Sequence, residues 1–310
     1  MALGLGRLGR QAAHVATVEV TFWQIGSMDL AYRIVNVFTV GDDPFSGNPL
    51  AVFENAADVS DEQMQAIARQ LNLSETTFVT GLHGDGADAD VRIFTPEYEL
   101  PFAGHPTLGT AYVVSSLLSG RQDVVLGMPA GRVPVSGDGS RWVLTTAVAP
   151  TTRAVEVAPA DLAAMIGLNA DDVAEGPLWV DTGVEQLILP LRSVEAVRRA
   201  HVDARLLRKH GESNRGEALV YLWAPTGDET VEARLFFSQG AGALEDPATG
   251  SACANLGGWW HARGGRGIRR TVRQGDAVHR PSELHLEVDA DGGIHVGGTI
   301  HELGAGVLVL

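Results

Sequence analysis

Four short stretches place polar side chains where they could move protons. They are SGNPLAV with Asn48, NLSETTFV with Ser74 and Glu75, PFAGHPTLG with Gly104 and His105, and EDPATGSAC with Asp246, Thr249, Gly250 and Ser251. Glu75 stands where a loop meets a predicted strand. Facing solvent it would have no special role; facing an enclosed cleft, its carboxyl would be desolvated toward the pH range where it can take up and return a proton. His105 lies between glycine and proline, so its backbone is stiff, and it either ties down a neighbouring loop or donates to a substrate oxygen. Asp246 either caps a helix starting near Gly250 or faces the same cleft, and Thr249 is the better cap of the two. Asn48 sits in a Ser-Gly-Asn-Pro run that, taken alone, reads as a tight turn.

Glu75, His105 and Asp246 would be an acceptable nitrogen and oxygen donor set, but no pair has the close spacing of a metal motif. No Gly-x-Gly-x-x-Gly follows a first strand and no Gly-x-x-x-x-Gly-Lys-Ser/Thr loop is present, so a nucleotide has no visible seat. Neither metal nor cofactor is expected. Cys253 follows Gly250 by three residues, near a helix start that could lower a thiol pKa. Its alanine neighbours favour a buried cysteine instead.

The elements that must position these residues follow a repeated order. YRIVNVFTV (32–40), LAVFENA, ETTFVT and ADVRIFTP read as strands, and GDDPFSGNP (41–49) as turns. Ser60 opens a helix over DEQMQAIARQLN with Gln63 completing a capping box, and Met64, Ile67, Ala68 and Leu71 form its apolar stripe. TLGTAYVVSSLL carries no charge and reads as a helix buried on all sides. The second half gives strand, turn and strand in GPLWVDTGVEQLILPL, one helical run in SVEAVRRAHVDARLLRKH, strands in ALVYLWAP and TVEARLFFS, and a helix start at Gly250. VRIFTPEYELPFAGHPTLGTA matches EARLFFSQGAGALEDPATGSACA, so Gly104 and Gly250 are equivalent positions nearly half the chain apart. Two such lobes can bring equivalent helix starts together across one cleft, where free N–H groups and aligned dipoles suit a small anion. IHVGGTIHELGAGVLVL reads as strands with a central turn that can cross back to complete either lobe.

The expected organisation is an N-terminal extension (1–29), a first lobe (30–148) that the last strand (300–310) can complete, and a second lobe (149–299). A length of 310 residues, 45% of them hydrophobic, suits two folded units. The formal charge of −15 argues against a nucleic-acid partner. One cysteine excludes an internal disulfide, and no apolar run is long enough to span a bilayer. The first thirty residues lack a secretory pattern, so the cytoplasm is the expected compartment. RGGRGIRRTVR (263–273) reads as a solvated face, and Trp259 and Trp260 as helix packing or a homodimer surface.

VNVFTVGDDPFSGNPLAVF, LNLSETTFV, RIFTPEYELPFAGHPTLGTA and EDPATGSACANL together resemble the phenazine biosynthesis PhzF family of the diaminopimelate epimerase-like superfamily. The resemblance runs from about Tyr32 to the C-terminus and includes GDAVHRPSELHLEV. It implies an α+β fold of two similar lobes, each a barrel-like mixed sheet around a central helix, with the active site between them and a homodimer as the usual assembly. It places the family's catalytic glutamate on Glu75, its histidine on His105 and its site aspartate on Asp246. Related epimerases use two cysteines at positions matching Gly104 and Gly250, so their two-thiol reaction is not implied here. The implied reaction is isomerisation of trans-2,3-dihydro-3-hydroxyanthranilate without a cofactor. Glu75 would take a proton from C3 and return one at C1, His105 and Asp246 would hold the hydroxyl and amino groups, and the amides around Gly104, Gly250 and Ser251 would receive the carboxylate. Racemisation of an amino-acid-like substrate, or binding of a small acid without turnover, remain the alternatives.

Overall fold

A computed structural model describes residues 28–83 and 86–310, so the expected N-terminal extension falls outside the described residues except for Met28 and Asp29. The first half forms β1 (Asp29–Thr39), β2 (Asn48–Phe53), α1 (Asp61–Leu71), β3 (Glu75–Leu82), β4 (Ala89–Phe94), β5 (Glu99–Leu100), α2 (Gly104–Leu117), β6 (Asp123–Met128), β7 (Gly131–Asp138) and β8 (Arg141–Thr145). The second forms β9 (Thr151–Ala154), α3 (Pro159–Met165), β10 (Leu178–Asp181), β11 (Glu185–Pro190), α4 (Val194–Arg199), α5 (Ala204–His210), β12 (Leu219–Pro225), β13 (Thr230–Gln239), β14 (Gly242–Asp246), α6 (Gly250–His261), β15 (Ile268–Gln274), β16 (Ser282–Val288) and β17 (Ile294–Val309).

The strand pairings carry the duplication. β1 pairs antiparallel with β2, β2 parallel with β3, β3 antiparallel with β4, β4 parallel with β6, and β6, β7 and β8 follow antiparallel. The same sequence of parallel and antiparallel steps runs from β10 through β11, β12, β13 and β15 to β16 and β17. Each repeat lends its final stretch to the other. β9 leaves β8 and pairs with β10, while residues 299–309 of β17 leave β16 and run antiparallel to β1. Because β17 also pairs with β8, the first lobe closes into an eight-stranded barrel.

The long apolar helices fill the two lobes. α2 lies against β1, β2, β3, β6, β7 and β8, and α6 against β9, β10, β11, β16 and β17. Neither helix carries a charge in its interior, as a helix enclosed by sheet requires. One core, including Val35, Val37, Leu108, Val113, Ile188, Leu256 and Val296, spans both lobes. Outside the barrels, α1 covers Phe53, Phe78 and Phe94, and α3, α4 and α5 cover a second outer core around Leu187, Leu189 and Val220. The α1 capping box forms as its sequence predicts, with Ser60 and Gln63 bonded reciprocally. Trp259 and Trp260 pack edge-on to Trp223, which places both in helix packing.

Two expectations are corrected. The run 193–210 is not one helix, because the chain turns extended at Ala200 and Asp203 starts α5 by accepting from the backbone N–H groups of Arg205 and Leu206. Residues 294–309 form one continuous strand without a central turn, since its first half is held between β16 and β8 and its second half by β1.

Candidate active site

The site lies where α2 and α6 start. Gly104 and Gly250 meet backbone to backbone: a Cβ built on Gly104 would lie 3.0 Å from the Gly250 Cα and 3.1 Å from the Ser251 nitrogen. Neither helix has a side-chain cap or an acidic residue in its first turn. Their first N–H groups therefore keep their positive potential in one small region, the arrangement that receives an anion. Thr249 does occupy the N-cap position of α6, but its hydroxyl donates to Asp246 Oδ2 and makes no capping bond.

Glu75 opens β3, directly beside the first turn of α2. Its Oε2 is buried without a hydrogen-bond partner, as is His105 Nε2, although the two atoms stand 3.4 Å apart. The separation is short enough for an ionic contact, but the geometry is not that of a hydrogen bond, so both atoms remain unsatisfied by the protein. Burial holds His105 neutral, lowering its pKa to about 3. Burial first, and the Asp246 charge second, raise the Glu75 pKa to about 8. The pair is thus a neutral imidazole facing a carboxyl that titrates near physiological pH.

The ring orientation follows from Asn48 at the start of β2. Its Nδ2 donates to Asp246 Oδ1 (3.0 Å) and Ala248 O (2.9 Å) and also faces His105 Nδ1 at 3.3 Å. Two unambiguous acceptors fix the amide and take both its hydrogens; because the amide nitrogen facing Nδ1 cannot accept, the hydrogen of the neutral ring is assigned away from Nδ1. The ring hydrogen is consequently on Nε2, toward Glu75. Asp246 accepts from Asn48 and Thr249, and burial raises its pKa to about 6 against the lowering effect of these bonds. Asp246 therefore ionises before Glu75, and its charge opposes ionisation of the second carboxyl.

Supporting residues come from far along the chain. Gln274 Nε2 donates to Asp246 O (2.9 Å) and Thr249 Oγ1 (3.0 Å), holding the turn between β14 and α6. Arg280 donates to Gly47 O (2.9 Å) and Asn36 Oδ1 (2.8 Å), holding the turn before Asn48. That turn needs glycine: Gly47 has φ +79°, and a Cβ there would approach Val37 O to 2.5 Å. Sequence reading did not single out Gln274 or Arg280 as site residues; only the family-like stretch GDAVHRPSELHLEV, which holds Arg280, marked this region. Ser74 is half-buried next to Glu75, and Ser251 Oγ accepts from Gln186 Nε2 at 3.1 Å. Cys253 is fully buried and its thiol pKa is pushed up by desolvation, which makes it inert.

The raised carboxyl gives a stability test. The folded state keeps a proton on Glu75 up to pH about 8, whereas an ordinary glutamate gives it up near 4.5. Stability should fall as pH rises through this window, because the folded state binds the extra proton. Glu75→Gln removes the effect, so its melting temperature should gain on the wild type between pH 5 and pH 8.5. Each pKa unit corresponds to about 1.4 kcal/mol. Parallel melts of the two proteins at both pH values check it, and an unchanged difference would contradict the buried carboxyl.

Among the described residues, no cluster of three or more His, Cys, Asp or Glu side chains is arranged to hold a metal. No helix of the described residues is long and apolar enough to cross a membrane.

The family model described as phenazine biosynthesis-like protein, PhzC-PhzF, matches residues 35–304. An uncharacterized isomerase of Pasteurella multocida is 37% identical over 278 residues, covering 90% of this chain and 93% of that protein. The trans-2,3-dihydro-3-hydroxyanthranilate isomerase of Pseudomonas aeruginosa is 34% identical over 267 residues, covering 84% and 92%. Among solved structures, a predicted epimerase from Pseudomonas aeruginosa superposes with a TM-score of 0.76 at 31% identity, covering 90% of this chain and 99% of that one. The two-lobed α+β architecture is the diaminopimelate epimerase-like fold that the sequence motifs imply.

Proposed function

Since the chain belongs to the phenazine biosynthesis-like protein family, we propose that it is an isomerase moving a proton between carbons of a small cyclic amino or hydroxy carboxylic acid, with trans-2,3-dihydro-3-hydroxyanthranilate as the model substrate. One observation carries the reading: two buried, unpartnered polar atoms, Glu75 Oε2 and His105 Nε2, converge beside two uncapped helix starts. Buried polar atoms without partners are rare and destabilising, so their convergence fits a group supplied by the substrate.

In this reading the substrate carboxylate sits at the amides of Gly250 and Ser251 with those of the α2 start, where neither lysine nor arginine is required. Ionised Glu75 removes the proton from C3; the C–H electron pair becomes the double bond of the enol at C3 and displaces the ring's conjugated electrons toward C1, where the charge is held until protonation. His105 Nε2–H donates to the oxygen on which charge accumulates, and remains neutral throughout. Protonated Glu75 then delivers a proton to C1, and tautomerisation of the enol gives the ketone. One hydrogen leaves C3 and one arrives at C1, so no oxidant or reductant enters the balance. Asp246 acts through Asn48 and Thr249, which occupy both its oxygens.

A two-base racemase would need a second base opposite Glu75. The buried Cys253 does not supply one, and Asp246 is already engaged. The test is an NMR time course in D₂O with trans-2,3-dihydro-3-hydroxyanthranilate. Conversion with the ring proton tracked from C3 toward C1 supports the isomerase. Binding without conversion would instead support a non-catalytic acid-binding protein.

A further inference from the structure

The second lobe contains a buried polar chain that ends at Ser251. Asn255, on α6, is fully buried, and its orientation is fixed by backbone groups. Its Oδ1 accepts from Thr182 N (2.9 Å) and Thr182 Oγ1 (2.7 Å), and its Nδ2 donates to Val184 O (2.7 Å). The second Nδ2 hydrogen goes to Gln186 Oε1 at 2.9 Å. That bond sets the Gln186 amide, whose nitrogen must then face Ser251 Oγ at 3.1 Å. Every link has one direction. Ser251 Oγ accepts from Gln186, which leaves the Ser251 hydroxyl hydrogen to be donated elsewhere.

From this polarity we propose that Gln186 and Asn255 are positioning residues that force the Ser251 hydroxyl to donate into the carboxylate seat at the paired helix starts. The inference rests on the reading of Gly250 and Ser251 as that seat. Gln186 is buried with its amide oxygen taken by Asn255 and its amide nitrogen by Ser251, unlike the unpartnered Glu75 Oε2 and His105 Nε2, so it acts through Ser251. A hydroxyl held as a donor favours a carboxylate and disfavours an ammonium group at the same place. Chains of buried hydrogen bonds strengthen one another, which gives the outermost donor more polarity than an isolated serine. The arrangement also separates tasks between the lobes: the first holds the proton carrier, and the second selects the charge of the ligand.

The test is calorimetric binding of 2-amino-3-hydroxybenzoate, a stable aromatic acid of the proposed substrate's shape, to wild type, Ser251→Ala, Gln186→Met and the double variant. Thermal melts accompany each protein to show that it is folded. Each single variant should lose affinity roughly tenfold, as expected for a hydrogen bond to a charged group. The double variant should lose no more than Ser251→Ala alone, which a merely structural role of Gln186 would not produce. Wild-type affinity in Gln186→Met, or a double-variant loss equal to the product of the single losses, would overturn the proposal. Gln186→Glu provides a second approach, since a carboxylate there would accept the Ser251 hydrogen and turn it from the seat; it should weaken binding further than Gln186→Met.

Benzoate, which lacks the amino and hydroxyl groups, separates this inference from the proposed reaction. Binding of benzoate but not of the substituted acid would reject the ring assignment while the same four proteins still test the chain with benzoate. Binding of neither by wild type would overturn both.

Discussion

Glu75→Gln should lower kcat by about three orders of magnitude, the middle of the range for a positioned general base, while changing the affinity for 2-amino-3-hydroxybenzoate only a few-fold. Glutamine keeps the size of the side chain and its place at the start of β3, but it cannot exchange a proton. In the wild type, the base form appears as pH passes through about 8, so kcat/KM should rise with pH up to that point and then level. The measurement is a pH series of initial rates, with calorimetry on the variant to separate binding from turnover. Full activity in Glu75→Gln would remove this residue from the chemistry, and a flat profile between pH 6 and pH 8 would remove its titration from the rate.

Gly104→Ala should also be damaging, by a different route and on binding and stability together. The added methyl would press against the Gly250 Cα and the Ser251 nitrogen at 3.0 and 3.1 Å. Both are backbone atoms at a helix start and cannot swing aside. The two lobes must separate locally, at a cost of about 1–3 kcal/mol for an overpacked contact, and the methyl shields amides needed by the carboxylate. Aromatic-acid binding should weaken by tenfold or more, with a lower melting temperature. Gly250→Ala should be milder, since its Cβ would meet Gly104 Cα at 3.3 Å and His105 N at 3.4 Å. Equal effects, or none, in calorimetry and thermal melts would contradict the face-to-face packing of the helix starts.

Much of this was legible in the sequence because it depends on local pattern. Runs rich in β-branched and aromatic residues gave the strands, the uncharged run after His105 gave a helix enclosed by sheet, and the matching Gly104 and Gly250 stretches gave two equivalent helix starts. Burial of Cys253 was likewise readable from its small neighbours. What escaped depended on partners distant in sequence. Arg280 reaches the turn before Asn48 across more than 230 residues, and Gln274 ties Asp246 to Thr249 from another strand. Thr249 has the residue type of a cap, yet its hydroxyl is taken by Asp246, a choice set by the buried carboxylate. The break at Ala200–Asp203 was missed for the opposite reason: the helical pattern continued on both sides, and Asp203 was not recognised as a new N-cap.

The exchange of end strands also fixes an order of events during synthesis. β1 leaves the ribosome well before the strand that lies along it, since residues 299–309 emerge some 260 residues later. Until then β1 exposes an unpaired edge, and the first barrel stays open on a growing chain. Closure of the lobe that carries Glu75 and His105 must wait for the second lobe to be translated, so neither of these two residues can be enclosed by a finished barrel in a nascent fragment.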